Sequence, residues 1–175
     1  GMILKKKSLK KDQINISDNF LNLKIPEFAQ EYPQLTGSLV EQFVYVNSTV
    51  RKENYQSILQ ATSTPSPKRL WHGKFGRMAG SRMAGFAEHR TYYYSNAEID
   101  QQVHMGVDLA STKRAEIKAA NRGNVVFAEY LGIYGNTVIL DHGQRIFSLY
   151  SHMSQIGVAA GELVDKGAVI GLSGK

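Results

Sequence analysis

The sequence contains no cysteine, which excludes a disulfide scaffold, a thiol nucleophile and a thiolate-ligated zinc site. A metal held by this chain has only His, Asp and Glu side chains to rely on. No stretch approaches the ~18 uninterrupted apolar residues of a membrane span, so no transmembrane segment and a soluble chain are expected. Excess charge is scarce too: 21 Lys+Arg stand against 15 Asp+Glu, a net +6. Lys5, Lys6, Lys7, Lys10 and Lys11 supply most of that excess, and the remainder is nearly neutral. The lysine run reads either as a basic arm for nucleic acid or an anionic envelope polymer, or as a solvated, frayed terminus. Gly1 and Met2 read as an expression remnant, so no signal peptide can be read. With 175 residues, 42% of them hydrophobic, the chain suits one domain with a small appended piece.

The pattern changes near residue 61. Val40, Phe43, Val44, Val50, Tyr55, Ile58 and Leu59 fall roughly on one helical face and predict a helix over 39–60. Residues 61–68, A-T-S-T-P-S-P-K, carry two of the four prolines and read as a linker, since each proline fixes φ and removes an amide donor. This gives an N-terminal extension over 1–61, a linker over 62–69 and a domain over 70–175. Most of the sixteen glycines lie in that last part, between short apolar runs at 125–130, 137–141, 145–151 and 168–172, with a weaker one at 162–164. Short strands with tight turns and no helical pattern between them predict a mainly β fold, an antiparallel sheet, sandwich or barrel.

Histidine is sparse: His72, His89, His104, His142 and His152. In Q-V-H-M-G-V-D-L-A, residues 102–110, Met105, Val107 and Leu109 alternate with His104, Gly106 and Asp108. A strand here buries the apolar set and puts His104 and Asp108 on the other face. Four residues of straight strand span ~13 Å, too far for two ligands of one zinc. A shared ion therefore requires a bend, and Gly106 is the residue that tolerates one. Taken alone, H-x-x-x-D reads equally as a surface pair or a structural hydrogen bond. His142, in L-D-H-G, reads as a turn residue bonded within its own hairpin or as a general base. His152 lies two positions after Tyr150, on the same face of a strand end, and a histidine there can orient or deprotonate a water. Of Tyr92, Tyr93 and Tyr94, at least one belongs in the core, and the others are candidates for a hydroxyl donor or a groove wall.

Those residues carry a resemblance. H-M-G-V-D-L-A (104–110) resembles the H-x-G-x-D motif of the lysostaphin-type, or LytM-like, zinc metallopeptidases that cut peptidoglycan cross-links. A-A-N-R-G-N-V-V-F-A (119–128), G-N-T-V-I-L-D-H-G (135–143), L-Y-S-H-M-S (149–154) and G-E-L-V-D-K-G-A-V-I-G-L-S-G (161–174) resemble the family's following stretches, in order. The likeness covers about residues 70–175. It implies the β-rich LytM-like fold of the duplicated hybrid motif type, zinc as cofactor, His104 and Asp108 as the first two metal ligands and His152 as a catalytic histidine. It also implies peptidoglycan peptides as substrate and the bacterial cell envelope, periplasmic or extracellular, as location. The family's third ligand and second catalytic histidine come from an H-x-H segment beyond the stretch matching G-L-S-G. No residue up to Lys175 takes either role, and this chain is expected to bind zinc poorly.

Two functions follow from the likeness: a zinc endopeptidase acting on peptidoglycan peptides, or a non-catalytic LytM-like module that binds the envelope or activates another hydrolase. Intact His104, Asp108 and His152 favour the first. A carbohydrate- or nucleic-acid-binding β domain ranks last, because the strands show no interleaving of aromatic and basic residues.

Overall fold

The structure, a computed structural model, describes residues 10–174. It divides into two compact units, one containing residues up to Thr49 with Arg82–Ala110, the other Val50–Ser81 with the chain from Ser111 onward. The lysines at 5–7 lie outside the described residues.

The first unit is a small sheet with helices on it. Strand β1, Lys11–Asn15, runs parallel to β3, Glu88–Tyr94, which pairs antiparallel with β4, Ala97–His104. Lys11 thus begins a paired strand, and Lys10 is tied to Glu88 at 2.9 Å, so these two lysines are not a frayed end. The β3–β4 hairpin closes through Ser95 and Asn96, both with positive φ (48° and 65°), the backbone twist that two-residue hairpins favour. Helix α1, Asp18–Glu31, starts at Ser17, whose hydroxyl accepts the Phe20 amide, and it buries Leu21 and Ile25 one turn apart. Helix α2, Leu39–Tyr45, opens on a reciprocal cap: Glu41 N–H donates to Ser38 Oγ and Ser38 N–H donates to Glu41. Leu21, Ile25, Phe43 and Tyr92 form the core of this unit.

The helix expected over 39–60 is interrupted. Val46–Val50 is a π-helical turn, and helix α3, Arg51–Ala61, resumes after it. The wider turn carries Asn47, whose side-chain amide donates to Asp100 at 2.6 Å. A π-turn of this kind rotates the residues around it relative to a regular helix. Strand β2, Ser81–Ala84, pairs with β5, Asp108–Ala110.

The second unit is an antiparallel sheet of six strands in the order β10-β7-β8-β9-β11-β6. The strands are β6, Glu116–Lys118; β7, Gly123–Tyr130; β8, Asn136–Asp141; β9, Phe147–Ile156; β10, Leu163–Val164; and β11, Val169–Ser173. Central β8 is buried at Thr137–Asp141, and its Val138 and Leu140 pack with Ile117, Val125, Tyr150, Met153 and Ile170. At α3, Asn54 is buried and accepts the Ile133 amide at 3.0 Å. The fold is mainly β, with antiparallel sheets and helices in its N-terminal part, as the sequence implies.

Candidate functional site

His104 is the last residue of β4, and Asp108 is the first of β5. The chain leaves the strand after His104, bends at Gly106 and re-enters extended structure at Asp108. The bend brings His104 Nε2 to 3.1 Å from Asp108 Oδ1. It also abolishes the alternation on which burial of the apolar set depended: Met105 is 61% and Val107 52% exposed.

The ring of His104 is oriented from behind. Its Nδ1 is 2.8 Å from the Gly85 carbonyl, an oxygen that can only accept, so Nδ1 carries a proton. In a neutral imidazole Nε2 then holds a lone pair aimed at a carboxylate oxygen. In that neutral form two acceptors face each other, and a cation between them, whether a proton on Nε2 or a metal ion, relieves the repulsion. Two such donors of one tetrahedral zinc stand about 3.3 Å apart, close to the separation found. The pair therefore fits a zinc ion as two of its ligands. Among the described residues no group of three His, Cys, Asp or Glu side chains is placed to hold a metal.

Charged side chains surround the pair. Arg90 Nη2 is 3.2 Å from Asp108 Oδ2 and 3.5 Å from Glu88 Oε2, and Lys10 Nζ is 2.9 Å from Glu88 Oε1. The Lys10 ammonium holds the Glu88 carboxyl below the ordinary carboxylate range against the opposing effect of burial, and Arg90 acts in the same sense. Arg90 and Glu88 did not stand out in the sequence. Their two-residue spacing in E-H-R marks one face of a strand, but an ion pair spanning 18 positions leaves no local signal.

His152 belongs to the second unit, on β9. It is exposed and has φ of 56°, a left-handed backbone that costs a non-glycine residue roughly 1–2 kcal/mol. The register of β9 against β8 shifts at the same place. A two-residue spacing on an undisturbed strand puts Tyr150 and His152 on one face; here Tyr150 is 5% exposed in the core while His152 is exposed, because the bulge re-aims the chain.

His142 is fully buried. Its Nδ1–H donates to the Arg122 carbonyl at 2.8 Å, and its Nε2 lies 2.7 Å from Ser148 Oγ. Phe75 packs edge-on against the ring at 4.9 Å. With both nitrogens engaged, His142 is a structural residue of its own hairpin. The tyrosines divide: Tyr92 is core, packed against Phe43, and the Tyr94 hydroxyl donates to Asp18 at 2.7 Å, which raises its pKa. Among the described residues no helix is long and apolar enough to cross a membrane.

The profile of Peptidase family M23 matches residues 102–175. The DD-carboxypeptidase/endopeptidase Mpg of Neisseria meningitidis is 34% identical over 73 residues, covering 42% of this chain and 17% of its own length. The murein hydrolase activator EnvC of Escherichia coli is 33% identical over 69 residues, covering 39% of this chain and 16% of its own. The chain thus spans less than a fifth of the length of these curated relatives. An M23 peptidase-family crystal structure from Pseudomonas aeruginosa superposes with a TM-score of 0.52 at 25% identity, covering 72% of this chain and 49% of that one. Residues 102–175, with the H-x-G-x-D motif near their start, belong to peptidase family M23, the lysostaphin-type, LytM-like family.

Proposed function

We propose that this chain is part of a zinc-dependent endopeptidase that hydrolyses peptide cross-links of bacterial peptidoglycan in the cell envelope. The observation that carries this reading is the His104–Asp108 pair, with one ring nitrogen committed to Gly85 O and the other facing a carboxylate oxygen at 3.1 Å. His104 Nε2 and Asp108 Oδ1 would hold the zinc. Bound zinc lowers the pKa of a coordinated water to about 7 and polarises a carbonyl oxygen. Gly85 fixes the tautomer of His104, and Arg90 engages the second oxygen of Asp108. By the family resemblance, His152 would be the residue to take a proton from a water. Two protein ligands by themselves would hold zinc weakly.

The second reading is a non-catalytic module that activates another cell-wall hydrolase. Similarity to a murein hydrolase activator favours it.

The experiment is zinc titration and digestion of purified peptidoglycan, using the 175-residue chain beside a form carrying an H-x-H segment after Lys175. Weak zinc uptake by the first and release of peptide fragments by the second are expected. His104→Ala and Asp108→Ala should lose both zinc and activity, and His152→Ala activity alone. Peptidoglycan binding without hydrolysis by the zinc-loaded longer form would favour the activator reading.

A further inference from the structure

Asp108 is a surface carboxylate, 45% exposed, against 14% for the His104 side chain. Packing therefore does little to choose which of its oxygens faces the imidazole. Arg90 contacts the oxygen that does not face the ring. It lies within β3 opposite Gln102, on the same face as Glu88 and Tyr92. Its Nη2 reaches Asp108 Oδ2 at 3.2 Å and Glu88 Oε2 at 3.5 Å. Glu88 is 2% exposed and is held in turn by Lys10, so the guanidinium rests against a fixed support. The Arg90 Nε–H is buried without a hydrogen-bond partner among the described residues. Buried orphan donors are rare in native structures. One is tolerated where the place of the guanidinium is set by the two carboxylates it joins and not by the needs of its remaining donors.

We propose that Arg90, supported by Glu88, is a positioning residue that engages Oδ2 of Asp108 so that Oδ1 alone faces His104 Nε2, presenting one nitrogen and one oxygen to a divalent cation. The proposal rests on the zinc reading above. Its sign sets it apart from simple electrostatics. A guanidinium cation this near the pair repels a second cation, so by charge alone its removal tightens metal binding. If Arg90 acts by orienting the carboxylate, its removal weakens binding, as loss of an outer partner of a metal ligand does by 10- to 100-fold.

The test is Zn²⁺ titration of the 175-residue chain, followed through the side-chain NMR shifts of His104, for the wild type, Arg90→Ala, Arg90→Gln and Arg90→Lys. Each variant's fold is checked by thermal unfolding, and Arg90→Gln and Arg90→Lys decide the matter if Arg90→Ala does not fold. Co²⁺ absorption reports the ligand geometry, which a merely structural role leaves unmoved. Arg90→Ala should bind Zn²⁺ at least ten-fold more weakly than wild type and alter the Co²⁺ bands. Arg90→Lys, which keeps the charge without the planar fork, should recover part of the loss. Equal or tighter Zn²⁺ binding in the folded variants, with an unchanged Co²⁺ spectrum, overturns the role of Arg90 and leaves the zinc reading intact. A wild-type chain whose His104 signals do not move with Zn²⁺ overturns both.

Discussion

His104 Nε2 stands 3.1 Å from Asp108 Oδ1, although the two residues begin and end a segment that would stretch ~13 Å as straight strand. The turn at Gly106 between them closes that gap. A Cβ added at Gly106 would lie 3.6 Å from His104 Nε2, an ordinary contact, on the nitrogen that faces Asp108. Gly106→Ala should therefore fold with its stability changed by less than about 0.5 kcal/mol, yet bind zinc more weakly. Thermal unfolding and zinc titration on the same sample check this, and a large loss of stability would show that the bend itself needs glycine.

His142→Ala should behave in the opposite way. It removes a fully buried ring, two hydrogen bonds and the contact with Phe75, at a cost of about 2–4 kcal/mol. Zinc uptake at His104 should persist in whatever fraction remains folded. Chemical denaturation gives the first quantity and titration the second; loss of metal binding from a fully folded variant would contradict a purely structural role for His142.

Gly143 has φ of 85°, and a Cβ there would strike the Lys68 carbonyl oxygen. Strain and collision act together, so Gly143→Ala should destabilise the second unit by about 2–4 kcal/mol. Denaturant unfolding followed by circular dichroism measures it, and a change under 1 kcal/mol would mean that the 61–70 segment can move away freely.

The cap of α2 predicts an acid dependence. Hydrogen bonds from the Ser38 amide and hydroxyl hold the Glu41 carboxyl below its usual value. A group with a lowered folded-state pKa stabilises the fold above its unfolded value of about 4.3 and loses that contribution as pH falls through the folded value. Ser38→Ala should reduce stability at neutral pH and flatten its decline between neutral pH and the acid limb. Parallel acid-side slopes in the two proteins would contradict this.

Much of the second unit is legible in the chain. The runs at 125–130, 137–141, 145–151 and 168–172 fall within or overlap observed strands, because antiparallel neighbours joined by short turns need only local alternation and turn residues. The first unit is harder to read. Helix α1 contains Pro26 and buries only Leu21 and Ile25, too few apolar positions to declare a period. Strand β1 is recognisable only once β3 lies beside it, 78 positions away at Lys11 and His89. The hairpin at Ser95–Asn96 left a weak signal, since neither residue is glycine although both take positive φ.

The sequence by itself determined which atoms are available to a metal: without cysteine, only His, Asp and Glu can serve, and H-M-G-V-D places a histidine and a carboxylate on either side of a residue that bends easily. It also determined the class of fold, through strand-length apolar runs and the turns between them. Tertiary structure alone decided what each histidine does. His142 became structural because folding buried its ring between Arg122 O and Ser148, and His152 stayed exposed because β9 bulges beneath it. Arg90 gained its place beside Asp108 in the same way, since ion pairing acts through distance in space and that distance is set by strand register rather than by position in the chain.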